Sequence, residues 1–130
     1  MGDALEYVEG TDDAERFTKV MCYGAFQCLL ERKSAGILIA LRKRFPSVRR
    51  VLLGNLPDLD RAGIFWRQDV GSEPWPLQDL KRHDTPFGIW RTEEEVRKLT
   101  TDCGWHTTIT RMPAPYFCAH YRFDAILTLS

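Results

Sequence analysis

The chain has 130 residues, enough for one domain with a real core but not comfortably for two. Eighteen Lys and Arg balance eighteen Asp and Glu, so it lacks the basic footprint of a general nucleic-acid binder. A composition of 44% hydrophobic and 12% aromatic residues excludes a disordered chain, and the longest apolar run, GILIAL at 36–41, is far too short to cross a bilayer.

No basic segment followed by a signal core opens the chain, so no membrane association and a cytoplasmic location are expected. Cys22, Cys28, Cys103 and Cys118 form no C-x-x-C pair, and no histidine cluster completes a zinc site. No metal is expected, and the thiols read as reduced and mostly buried.

DALEYVE (3–9) reads as a short helix, followed by a polar loop, GTDDAER. FTKVMCYG (17–24) mixes aromatic and β-branched residues and ends at a glycine, which predicts a strand buried on both faces. SAGILIALRKRF (34–45) places Ile37, Leu41 and Phe45 on one helical stripe, with Leu38 beside them. Its basic residues gather at the C-terminal end, where the helix dipole favours them, and Pro46 stops it. VRRVLLGNL (48–56) is a second buried strand, so strand, helix and strand form a right-handed parallel crossover.

Asp58 or Asp60 caps a helix through residues 61–68. Residues 70–91, rich in Pro and Gly, form an irregular insertion or lid within a single domain spanning 1–130. TEEEVRKLTTDCG (92–104) is the clearest helix, with Thr92 and Glu95 as a capping box and Val96, Leu99 and Cys103 on one face. WHTTITRM (105–112) and YFCAHYRFDAILTLS (116–130) are strands joined by MPAP. The second alternates apolar and polar residues from Phe117 to Leu129, and the short turn predicts antiparallel pairing.

This order resembles the C-terminal half of the class I S-adenosylmethionine-dependent methyltransferases. FTKVMCYGAFQCL (17–29) is similar to the family's fourth strand and the helix after it, with Thr18 where an Asp is usual. RRVLLGNLPD (49–58) is similar to the fifth strand. A final helix, GW, and a hairpin closing on HYRFD complete the likeness. The resemblance implies an α/β fold: a partial Rossmann-like sheet with two parallel strands, an antiparallel C-terminal hairpin and helices packed on it.

It also implies S-adenosylmethionine as cofactor and a small molecule as methyl acceptor. Asp3, in the GDALEYV segment, would approach the adenine, and Tyr23, Gly24 and Gln27 would border the cofactor. The family's G-x-G-x-G turn and ribose-binding acid have no counterpart here, since the sequence contains no G-x-G. The expectation is therefore half of a methyltransferase, inactive alone. In the family the fourth strand lies beside the first; here the edge from Phe17 to Tyr23 is expected to be bare and to pair with a second copy or a completing partner chain.

The remaining candidates carry two readings each. Asn55, Asp58 and Asp60 follow a strand end, where they bind an acceptor, act as a base, or simply cap a turn. His120, Arg122 and Asp124 alternate on one strand, either as a proton-transfer pair with His120 catalytic or as a solvent-facing ladder. Trp66, Trp75, Phe87 and Trp90 form an acceptor wall or anchor the insertion, and Tyr121 joins Trp66, Trp90 and Asp58 as a substrate-binding candidate. His83 acts from a lid or is an exposed loop residue. A non-catalytic module using the strand edge is the alternative function. No P-loop or Ser-His-Asp spacing supports a kinase or hydrolase.

Overall fold

A computed structural model describes residues 3–115 and 118–129. Helix α1 (Ala4–Gly10) is capped by Asp3, whose carboxylate accepts the Leu5 amide at 2.7 Å. Strand β1 (Lys19–Tyr23) leads through a turn at Phe26–Cys28 into α2 (Glu31–Arg44), and β2 (Arg50–Pro57) follows. A tight turn at Leu59–Arg61, helix α3 (Ala62–Phe65), a wide helical turn at Trp66–Val70 and helix α4 (Leu77–Leu80) precede α5 (Glu93–Asp102). Strands β3 (His106–Thr110) and β4 (Arg122–Thr128) close the fold.

These strands form one open sheet in the order β1-β2-β4-β3. The first pair is parallel, with Lys19 opposite Arg50 and Tyr23 opposite Gly54. The hairpin is antiparallel, and β4 lies inside it, against β2. The α/β fold with two parallel strands, an antiparallel hairpin and packed helices is thus the observed one.

Alternation on β4 decides which face is dry. Phe123, Ala125 and Leu127 are wholly buried, against Val51 and Leu53 of β2, Leu38 and Leu41 of α2, and Val96 and Leu99 of α5. Each Val, Leu or Phe side chain so removed from water contributes about 1.5–3 kcal/mol. Trp105 Nε1 donates to the Leu38 carbonyl at 3.1 Å, which fastens the start of β3 to α2. Thr92 and Glu95 form the capping box that starts α5.

Three expectations need correction. First, β1 is not buried on both faces: Met21 is 70% and Tyr23 58% exposed, because β1 is an edge strand whose outward face no layer covers among the described residues. Second, α2 begins three residues before Ser34, at Glu31, whose carboxylate suits the positive end of the dipole; Ser34 is a buried helical residue. Third, the last strand starts only at Arg122, because residues 118–121 form a turn; Tyr116 and Phe117 lie outside the described residues. Residues 70–91 are irregular apart from α4. No helix among the described residues is long and apolar enough to cross a membrane.

Burial predicts unequal costs of truncation. Leu127→Ala, on the central strand, is expected to cost about 2–5 kcal/mol, and Leu77→Ala, on exposed α4, no more than about 0.5 kcal/mol. Urea unfolding midpoints of the two variants check this.

Candidate functional site

Strands β1 and β2 run parallel, and the carboxyl ends of such strands are where open α/β sheets hold ligands. Tyr23 ends β1, and its ring lies over Gly54, where a Cβ would collide with it. Gly24 turns the chain at φ +69°, and its amide donates to the Gly54 carbonyl at 3.0 Å.

The pairing of β2 with β4 slips here. Leu53 faces Ala125, but the next pair is Leu56 with Phe123, so β2 carries one extra residue. Asn55 sits in that bulge with φ +60°, a left-handed conformation that Asn tolerates better than most residues. β4 holds it from both sides: Asp124 Oδ1 accepts the Asn55 amide at 2.8 Å, and Arg122 Nη1 donates to its carbonyl at 3.3 Å. Cys118 Sγ donates to Asn55 Oδ1 at 3.5 Å, so the turn at 118–121 closes over the same point.

The loop region has a second core. Phe65, Trp66, Trp75, Phe87, Trp90 and Tyr121 interlock, with neighbouring ring centroids 4.9 to 5.4 Å apart. The Arg122 guanidinium lies over the Trp90 and Tyr121 rings at 5.5 and 5.8 Å. Burial lowers the Arg122 pKa, while Tyr121, Cys118 and Asp69 oppose the shift. The Tyr121 hydroxyl donates to the Asp69 carboxylate. Burial, reinforced by Asp69, raises the Tyr121 pKa well above that of ordinary tyrosine and keeps the phenol protonated.

Asp58, 1% exposed, anchors the end of β2. It accepts the Asp60 amide at 3.1 Å and pairs with Arg111 at 2.5 Å and Arg61 at 3.5 Å. Arg111 also reaches Glu93 at 2.7 Å and the Arg122 carbonyl at 3.3 Å, joining β2, α5 and β4. Nothing in the spacing of the sequence pointed to Arg111 or Asp69; both earn their roles through partners more than fifty residues away.

The sequence candidates therefore separate. Tyr23, Gly24 and Asn55 come together at the end of β1 and the bulge of β2. Asp58, Trp66, Trp90 and Tyr121 are each at most 3% exposed, inside packed surroundings. Gln27 is buried; its carbonyl accepts the Ile89 amide at 2.8 Å, and its carboxamide oxygen has no partner. Asp3 is paired with Lys33 at 2.5 Å, and hydrogen bonds from Lys33 and the Leu5 amide lower its pKa. Arg122 and Asp124 share a face of β4, while His120 is exposed on the preceding turn and His83 is half-buried in the loop. Among the described residues, no cluster of three or more His, Cys, Asp or Glu is arranged to hold a metal.

No protein-family model and no curated protein matches the sequence. Solved structures match the fold. The small RNA methyltransferase HEN1 superposes with a TM-score of 0.65 at 13% identity, over 99% of this chain and 16% of that one. The methyltransferase CalO6 gives 0.62 at 16% identity, over 98% and 38%. The glycopeptide N-methyltransferase MtfA, solved with S-adenosylmethionine, gives 0.61 at 15% identity, over 99% and 59%. The chain has a methyltransferase fold, and it spans less than two thirds of the length of each of these proteins.

The bulge geometry sets one expectation. Asn55→Val should cost about 1–2 kcal/mol, because a β-branched residue resists the left-handed region; Asn55→Gly should cost distinctly less. Denaturant titration of both variants separates backbone strain from loss of the amide.

Proposed function

We propose that this chain supplies the acceptor-side half of an S-adenosylmethionine-dependent methyltransferase acting on a small molecule. The observation that carries the reading is the sheet order β1-β2-β4-β3, with its parallel pair and inserted antiparallel strand. The fold matches, MtfA with its cofactor among them, support the same reading.

The residues present fit one side of that cofactor. Tyr23 is exposed and Gly24 carries no side chain, which leaves an open ledge at the end of β1, and Gln27 holds an unpartnered carboxamide oxygen nearby in sequence. Asp3 would contribute toward the adenine, in exchange for part of its pairing with Lys33. When bound, the cofactor supplies an electrophilic methyl group on a sulfonium. This chain's part is orientation: methyl transfer depends chiefly on alignment of the acceptor, with a base needed only where the acceptor must lose a proton. Asn55 is the residue best placed to hydrogen-bond an acceptor, and His120, on the turn that Cys118 fastens to Asn55, is the candidate base.

No glycine-rich turn is present in the sequence, so little or no turnover is expected of the chain by itself. Calorimetric titration with S-adenosylmethionine tests the cofactor assignment. Weak but saturable heat, abolished by Gly24→Val, is expected; silence from the parent chain would overturn it.

The same reading assigns the bare edge at residues 17–23 to strand addition, most simply by a second copy or by a completing chain. Among the described residues the outer edge of β1, which carries exposed Met21 and Tyr23, pairs with no strand, and such an edge is a template for pairing. Sedimentation equilibrium is expected to show self-association that Met21→Lys weakens. A parent chain that stays monomeric across the accessible concentration range, and takes up no partner strand, would count against the assignment.

A further inference from the structure

A polar recess of about 400 Å³ lies between the first turns of α2 and α5. Leu30, Glu31, Lys81, Ile89, Arg91, Glu95 and Leu99 form its walls.

Arg91 is its central feature. The residue is only 6% exposed, yet its guanidinium Nη2 has no hydrogen-bond partner. Its backbone is fixed at both ends: the amide donates to the Pro57 carbonyl at 3.3 Å, and the carbonyl accepts the Leu59 amide at 3.0 Å. The guanidinium lies over the Phe26 ring, 5.4 Å from its centroid, which orients the planar fork. A buried guanidinium without an acceptor is costly, and a ligand that supplies one recovers that cost. Burial lowers the Arg91 pKa, and Glu31 and Glu95 oppose this by attraction.

The second feature is the start of α2. This helix of 14 residues begins at Glu31, and Leu30 in the capping position offers no side-chain cap to the first-turn amides. Those amides and the helix dipole favour negative charge. Lys81 stands on the wall, held to Glu95 at 2.5 Å, so that carboxylate is already neutralised. Glu31, in the first turn, attracts Arg91 without reaching ion-pair distance, and it is the group an incoming anion must displace or repel.

We infer that this recess binds the oxyanion group of a small ligand, a carboxylate or a phosphate, on the Arg91 guanidinium and the first turn of α2. The site shares none of the residues assigned to methyl transfer, so the two assignments stand or fall separately.

The test is a titration of the chain with inorganic phosphate, and in parallel with acetate, at constant ionic strength against sodium chloride. Backbone amide shifts by NMR and the melting temperature are the readouts. The expected result is saturable movement of the Glu31, Arg32 and Leu99 amides and a rise in melting temperature that chloride does not reproduce. The stronger of the two anions identifies the group.

Arg91→Met is expected to weaken binding by at least about tenfold, the range for a charged hydrogen bond. Lys81→Met should weaken it less, and Glu31→Gln should tighten it by removing the competing carboxylate. Should Arg91→Met fail to fold, the opposite signs of the other two variants decide. Failure of both anions to saturate, binding that survives Arg91→Met unchanged, or equal affinity across the Lys81 and Glu31 variants would overturn the assignment.

Discussion

The hydrogen bond from the Asn55 amide to the Asp124 carboxylate is the joint on which this molecule turns. Up to Leu53 the inner pair of strands is regular, and beyond it one residue too many must be absorbed. Asp124 absorbs it by replacing a missing ladder partner with a side-chain acceptor. Arg122, two residues earlier on the same face, holds the Asn55 carbonyl. The bulge brings Asn55 beside Gly24, the residue after Tyr23 at the end of β1.

Around that joint the fold is asymmetric. One face of the sheet is dry, closed by α2 and α5 against Phe123, Ala125 and Leu127. The loop region has its own core, in which Phe65, Trp66, Trp90 and Tyr121 take over the task that backbone pairing performs elsewhere. A long irregular stretch costs conformational entropy, and interlocked aromatic rings offset that cost with large buried area per residue. This gives residues 70–91 a fixed course despite their scarcity of regular structure.

Charge is distributed by the same logic. Asp58 is buried because Arg111 and Arg61 reach it, and Arg111 is spread over Asp58, Glu93 and the Arg122 carbonyl. Arg122 lies on aromatic faces and on a carbonyl. Arg91 differs: it stacks on Phe26 but keeps an unpartnered nitrogen. Among the described residues, Asp58 is the other fully buried charged side chain, and it is matched; this contrast is what the anion-site proposal rests on.

Local signals were enough for much of this. The capping box at Thr92, the Ile37, Leu38, Leu41 and Phe45 stripe, the parallel crossover and the antiparallel hairpin all follow from periodicity, caps and turn residues, which act within a few positions along the chain. The resemblance of residues 17–29 and 49–58 to methyltransferase strands predicted the class of sheet. Tyr23, Gly24 and Asn55 draw attention in the sequence as residues after strand ends; Tyr23 does end β1, whereas Asn55 lies inside β2, in its bulge. What the sequence could not determine depends on which distant residues meet. Burial of Asp58, Trp66 and Trp90, the exposed face of β1, the bulge that needs Asp124, and the roles of Arg111, Asp69 and Arg91 are set by contacts across the fold. Periodicity reports which side of an element is apolar; only tertiary packing decides whether anything covers it, and whether a charged group finds its partner.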